Sequence, residues 1–418
     1  MAKFLLIGII LNLILSTNCH TFIWGSNTSD VIELSQGLRK FSSNYYKSAM
    51  DNSTNNIVIS SFSALMVLGM LDNGASGNIK KEFHDSIELP INTNITKTGF
   101  QSLIDTLNNI RVESRLWLTN HIFVSSTVQG QHDFIINNME YFRSEARVID
   151  LSNKTQATLS INEWCSNKTM NMIKDLATPD SIKFAEFIIA NAIYFNATWE
   201  SKFDPARTLI ASYLVNDTVK YIPTMQKSGY FLHGTMRKYN GTFIALPYKV
   251  KNVNNNKGTL KMYIMMFPNE RKLKKFEMNI DKVNFNKINT SYSSMDLALP
   301  KFKIESKLDL SSVFSKMGIN EMFGYSVYLK DIVNTTSAKI GEVIQKVVIE
   351  VDEEGTKVAA ITGGFGEVKV ESLHVQTIIK PFVITIVSEY YGTVLFSARI
   401  CDPTIDIFQY HLNNLKKT

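Results

Sequence analysis

Two apolar runs near the end of the chain, Phe382–Ser388 and Thr393–Ile400, flank Glu389-Tyr390-Tyr391-Gly392. Long β-prone stretches on either side of a short turn sequence read as a hairpin. Ile57–Ile59, Phe184–Phe195, Leu260–Phe267 and Met295–Ile304 have the same strand-like character. Helical patterning concentrates in the first half. There Asp30 with Glu33 forms a capping-box pattern, and Val31, Leu34, Leu38, Phe41 and Tyr45 recur on one helical face. A second helix is expected through Leu65, Leu68 and Leu71. Helices that dominate one half and strands that dominate the other make the class α+β. No proline-rich, repetitive or low-complexity stretch divides the chain. The polar segment 252–258 lies between two strand patterns and reads as a hairpin tip, so one large domain is expected.

The 418 residues are 44% apolar and 20% charged, enough material for a large core. A formal net charge of +6, spread along the chain, argues against dedicated nucleic-acid binding. The densest basic run, Arg271-Lys272-Leu273-Lys274-Lys275, reads as a solvated face; weak glycosaminoglycan binding is the alternative. At the N-terminus Lys3 precedes the apolar run Phe4–Leu15 and then Ser16-Thr17-Asn18-Cys19. That is the form of a secretory signal peptide, too short for a membrane span, with Thr17 and Cys19 at the small positions before a cut. Residues 1–19 are therefore expected to be removed, and a secreted, extracellular protein follows. Sequons at Asn27, Asn52, Asn94, Asn153, Asn167, Asn196, Asn216, Asn240, Asn289 and Asn334 make it a candidate glycoprotein. Past residue 19 only Cys165 and Cys401 remain, which is no disulfide framework, and the two thiols are expected apart.

Enzyme templates fail one after another. The seven histidines include no pair at zinc-ligand spacing, and no Gly-x-Ser-x-Gly elbow is present. Cys165, beside Trp164 in a helical pattern, reads as a buried thiol rather than a nucleophile. Neither a metal nor a cofactor is implied. The segment 351–374, VDEEGTKVAAITGGFGEVKVESLH, admits three readings: a phosphate cradle, a linker, or an exposed segment made to be cut. A cradle of the kinase type would need its first glycine where Ile361 stands, followed by catalytic motifs that are missing.

Several stretches settle the choice. NIVISSFSALMVLGMLDNGASGN (56–78), INEWCSNKT (161–169), NAIYFNATWESKFDP (191–205), ALPYK (245–249), LPKFKIESKLDL (299–310) and KPF (380–382) occur in an order that resembles the serpins, the serine-protease-inhibitor superfamily. The resemblance implies a single large domain over 20–403 of three β-sheets, about eight or nine helices and an exposed reactive-centre loop at about 355–375. Residues 404–418 extend beyond it. A monomer is expected.

By the same resemblance Glu354, Gly355, Thr356, Val358, Ala359 and Ala360 belong to the loop's proximal hinge, while Ser60, Ser63, Asn191, Trp199 and Gln345 serve the sheet's opening, with Gln345 where the family usually has histidine. The bond offered to a protease falls about fourteen residues beyond Gly355, at Lys369-Val370. A lysine there suits the acidic pocket of a trypsin-like serine protease; a cut after Val370 by an elastase-like enzyme is the alternative. Cleavage would give a covalent acyl-enzyme, trapped as the loop enters the central sheet. Alternating positions 356 to 368 keep charge off one face: Thr356, Val358, Ala360, Thr362, Gly364, Gly366 and Val368 are all uncharged, as insertion requires. Val358, Ile361 and the loop glycines depart from the family's run of alanines and would slow insertion. A non-inhibitory carrier, storage or chaperone-like serpin is the alternative function.

Overall fold

The computed structural model describes residues 28–50, 55–87, 92–109, 115–127, 132–183, 185–215, 217–249, 260–280, 283, 285, 288–324, 332, 340, 343–356, 375–389 and 392–404. In chain order the first half holds α1 (Thr28–Met50), β1 (Ile57–Ile59), α2 (Ser61–Asp72), α3 (Gly77–Ile87), α4 (Thr93–Asn109), β2 (Arg115–Ser125), α5 (His132–Phe142), β3 (Glu145–Ile149), α6 (Lys154–Lys168) and β4 (Phe187–Thr198). The second holds β5 (Thr208–Val215), β6 (Thr218–Met236), β7 (Gly241–Pro247), β8 (Leu260–Met266), α7 (Glu270–Glu277), β9 (Ser291–Pro300), β10 (Phe302–Asp309), α8 (Leu310–Lys316) and β11 (Ile344–Val351). The chain closes with β12 (Gly355–Thr356), β13 (Val375–Thr377), β14 (Phe382–Ser388) and β15 (Thr393–Ile400).

Local sequence explains most of these boundaries. Ser60 caps α2 by accepting from the Ser63 amide, and the helix is buried on every side, as its all-round apolar sequence requires. Leu34, Leu38, Phe41 and Tyr45 all lie in the core, as the stripe on α1 predicts. The hairpin expected at the C-terminus forms, with β14 and β15 antiparallel. β7 and β8 also pair antiparallel, so the segment 252–258 between them, outside the described residues, does connect a hairpin.

Two strand expectations shift. The run read at 184–195 forms β4 three residues later, and the run read at 295–304 is two strands, not one. The break falls at Lys301, whose amide donates to the Pro223 carbonyl where the chain passes from one sheet to another. Apolar content identified the strands, but only tertiary pairing sets where they stop.

The expected three sheets are present. The central one has the order β10-β11-β4-β2-β3, with β12 added on β4. The other two share β6, which is 19 residues long, and so merge into a single nine-stranded hydrogen-bonded network. Its first part pairs β5, its last part pairs β7, and β9 runs along its middle. Both faces of the central sheet are buried at its middle strands, β4 and β11. One packs on the main core through Ile189, Ile193 and Val347; the other meets α6 through Ala190, Ala192, Ile344 and Val348.

Candidate functional site

The central sheet is incomplete at one end. β11 and β4 run parallel over five pairs, from Ile344 opposite Ala190 to Val348 opposite Tyr194, and there the ladder ends. β11 continues to Val351 against β10. Beyond Val351 the chain turns, and Gly355 and Thr356 pair antiparallel with Thr198 and Ala197 at the end of β4. The first residues of the loop are thus already seated beside β4, at the end where β4 and β11 are not zipped together.

Aromatic and polar side chains hold this turn from both sides. Asp352 accepts from the Glu354 amide at 2.9 Å and the Gly355 amide at 3.1 Å, while its own amide donates to the Gly355 carbonyl at 2.9 Å. Burial pushes the Asp352 carboxyl up to about 7 despite these two donors. Trp199 donates through Nε1 to the Asp352 carbonyl at 3.0 Å and through its backbone amide to the Glu354 carbonyl at 2.9 Å. Its ring stacks on Tyr248 with centroids 4.7 Å apart, and Tyr248 and Thr356 share a hydrogen bond of 3.0 Å. Glu353 receives Lys301 Nζ at 2.9 and 3.2 Å, with both side chains almost fully buried.

Gly355 has no substitute in this arrangement. Its φ is +154°, and a Cβ built on it would lie 1.9 Å from the Ala197 carbonyl oxygen. The chain approaches β4 backbone to backbone, which glycine alone permits.

A second polar cluster lies under the sheet where β4 and β11 are still paired. Gln345 Oε1 accepts from the Ser60 amide at 3.2 Å and from the Tyr45 hydroxyl at 3.0 Å, and its Nε2 donates to the Ser60 carbonyl at 2.9 Å. The Ser60 hydroxyl donates to the Leu395 carbonyl at 2.7 Å. Ser63 donates to Asn191 Oδ1, and Asn191 Nδ2 donates to Asn120 Oδ1 at 2.7 Å. The amide at 345 therefore accepts two hydrogen bonds at Oε1 and donates one from Nε2, without the pH-dependent charge an imidazole would bring.

The residues singled out from sequence fall into two places. Ser60, Ser63, Asn191 and Gln345 gather in the polar cluster under β4 and β11, whereas Trp199 stands at the open end beside Glu354, Gly355 and Thr356. Val358, Ala359, Ala360, Lys369 and Val370 lie outside the described residues, as do the signal sequence, Asn27, Asn52, Asn216, Asn334 and everything past Thr404. Asn94, Asn153, Asn167, Asn240 and Asn289 are exposed, and Asn196 is on β4. Asn153 also caps α6 by accepting from the Gln156 amide. Cys165 and Cys401 are free, and burial pushes the Cys165 thiol up to about 12, far from a nucleophile's range.

Sequence reasoning gave no place in the site to Tyr45, Asn120, Tyr248, Lys301, Asp352 or Glu353, although Tyr45 lay on the helical stripe and Tyr248 within ALPYK. Lys301 carried a signal: a lone lysine between Leu299-Pro300 and Phe302 inside a strand pattern is a candidate for burial against an acid.

Comparison with known proteins agrees with this architecture. The chain is 31% identical over 343 residues to antichymotrypsin-2 of Bombyx mori, covering 80% of this chain and 88% of that one. It is equally identical, over the same length, to antitrypsin of Bombyx mori, covering 84% of that protein. The structure of thyroxine-binding globulin complexed with thyroxine superposes with a TM-score of 0.77 at 23% identity, over 89% of this chain and 99% of that one. The family model described as serpin (serine protease inhibitor) matches residues 36–403, and the chain belongs to the serpin family.

Proposed function

We propose that this serpin is a secreted inhibitor of trypsin-like serine proteases that acts as a suicide substrate. Residues 1–19 are its signal peptide, 20–403 its inhibitory domain and 404–418 a C-terminal extension. The observation that carries the reading is the unzipped end of the central sheet, with Gly355 and Thr356 already paired to β4. A loop cut at Lys369-Val370 would continue that pairing between β4 and β11 and carry the acylated protease with it. The serine of the protease attacks the Lys369 carbonyl, the Val370 amine leaves, and the ester to Lys369 remains. Insertion then has to outrun hydrolysis of that ester.

The described part of the hinge favours entry. Thr356 is buried without charge, and its hydroxyl shares a hydrogen bond with the Tyr248 hydroxyl. The antitrypsin relative supports a basic residue as bait, whereas the antichymotrypsin relative at equal identity makes the target class the point to test. Incubation with trypsin-like, chymotrypsin-like and elastase-like enzymes, followed by a denaturing gel, should give a high-mass band with the first group. Cleavage by all three with no such band would sink inhibition and leave a carrier role, of the kind thyroxine-binding globulin represents.

A weak glycosaminoglycan site is a second element of the reading. α7 exposes Arg271, Lys274 and Lys275, and the turn Arg237–Tyr239, packed on it through Tyr239 and Phe276, adds exposed Arg237 and Lys238. Sequence alone joined only the first group.

A further inference from the structure

Beneath α6 the central sheet carries a titratable ring among apolar neighbours. His121 on β2 is 5% exposed, lies on the same side of its strand as Phe123, and stands opposite Ala190 of β4 and Glu145 of β3. Its ring centroid is 4.2 Å from that of Phe123 and 5.1 Å from that of Trp164 on α6, and Trp164 meets Phe123 edge-on at 5.8 Å. The three rings form the joint between helix and sheet at this end. Glu145 Oε2 stands 3.4 Å from His121 Nδ1, but that carboxylate is half exposed, and its other oxygen receives Lys168 from the last turn of α6. His121 Nε2 has no hydrogen-bond partner among the described residues.

This site suits a neutral imidazole and opposes an imidazolium. Protonation adds a charge and a second N–H donor where Nε2 meets no acceptor, a cost that the π faces of Phe123 and Trp164 offset only in part. The charged groups that face the ring are Glu145 and Arg147 from β3 and Lys168 from α6, two cations to one anion, while β4 presents Ala190. Burial accordingly pulls the imidazole down to about 4, against the opposing pull of Glu145. With α6 lifted, the ring would meet water and return to about 6.5. The lifted form therefore binds one more proton between those two values, and falling pH favours it over the closed form.

We infer that His121 is an acid-sensitive latch for α6: its neutral ring lets the helix close on the central sheet, and its protonation releases the helix end that carries Trp164. The same helix packs on Ala190, Ala192, Ile344 and Val348, so its release loosens the cover over β4 and β11. That this would ease entry of a strand rests on the inhibitory reading above. The opening of α6 does not rest on it, and the test reads the opening alone.

Cys165, beside Trp164 on α6, is fully buried, whereas Cys401 is partly exposed at the end of β15. Full-length protein is labelled with dithiodipyridine, a thiol reagent that also works in acid, and the rate at Cys165 is divided by the rate at Cys401. The ratio should rise about tenfold from about pH 7.5 to about pH 5. His121→Gln and His121→Phe, neither of which can take up the proton, should hold it level. Asp175→Asn, which removes the charge that meets Lys346 beneath the same helix, should keep the rise. A level ratio in the unaltered protein would overturn the latch. So would an equal rise in both His121 variants, which marks general acid unfolding, or loss of the rise in Asp175→Asn, which assigns the response to Lys346 and Asp175. Failure to form a covalent complex with any protease would remove the consequence for trapping and leave the latch standing.

Discussion

At the scale of single residues, the turn after Val351 combines three constraints in four positions. Gly355 is set by contact with the Ala197 carbonyl, Glu353 by its buried partner Lys301, and Asp352 by the two amides it receives. Removing one member of a buried ion pair strands the other charge, which typically costs about 3–5 kcal/mol. Asp352 is of a different kind, because its buried carboxyl is raised to about 7. The folded protein therefore holds this proton more tightly than the unfolded chain does. The stability it contributes is complete below the ordinary carboxylate range, near pH 4, and is lost as pH rises through about 7. A pKa difference of about three corresponds to about 4 kcal/mol at most. Asp352→Asn keeps an acceptor for the Glu354 and Gly355 amides and removes the charge. Its unfolding midpoint should exceed that of the unaltered protein at pH 8, and the gain should vanish near pH 4. A gain independent of pH would show that the charge is not the cause.

At the scale of elements, α6 decides how freely the central sheet can part. It covers β2, β4 and β11 together, with Ile161 and Trp164 set in the same apolar cluster as Phe123, Ala190, Ala192, Ile344 and Val348. Any strand that enters between β4 and β11 has to do so beneath this cover. Ile161 is fully buried, so Ile161→Ala leaves a cavity and should cost about 2–5 kcal/mol, read as a lower urea midpoint. An unchanged midpoint would mean that the helix rests loosely on the sheet. This level was well advertised in the sequence. The stripe on α1, the all-apolar α2 and the hairpin of β14 and β15 follow from periodicity, because burial of an apolar face is a local demand. The split between β9 and β10 was not visible, since it depends on which sheet each half joins. The site was half legible for the same reason. Gly355 and Thr356 stand out by motif, whereas Lys301 and Glu353, 52 residues apart, or Tyr45 and Gln345, 300 apart, are brought together only by the completed fold.

At the scale of the molecule, the proposed trap would work only if the sheet gains more from an added strand than it loses by parting. Cleavage of the loop should then raise the unfolding temperature well above that of the intact protein, which a thermal melt before and after limited proteolysis will read. Thr356→Arg places a charge where the Thr356 and Tyr248 hydroxyls now share a hydrogen bond. That variant should be cleaved at the normal rate, with the high-mass band lost and the melting rise much reduced. Retention of both would exclude insertion past Thr356. The ladder to be opened is short, five parallel pairs between β4 and β11. A strand entering there exchanges each parallel pair for an antiparallel pair on either side, and antiparallel pairing is slightly the stronger of the two. Such a step has no reason to reverse. Each molecule would then serve once and be discarded, so the organism could not adjust its action by affinity or release. Dosage, meaning how much is made against how much protease is present, would be the one remaining control.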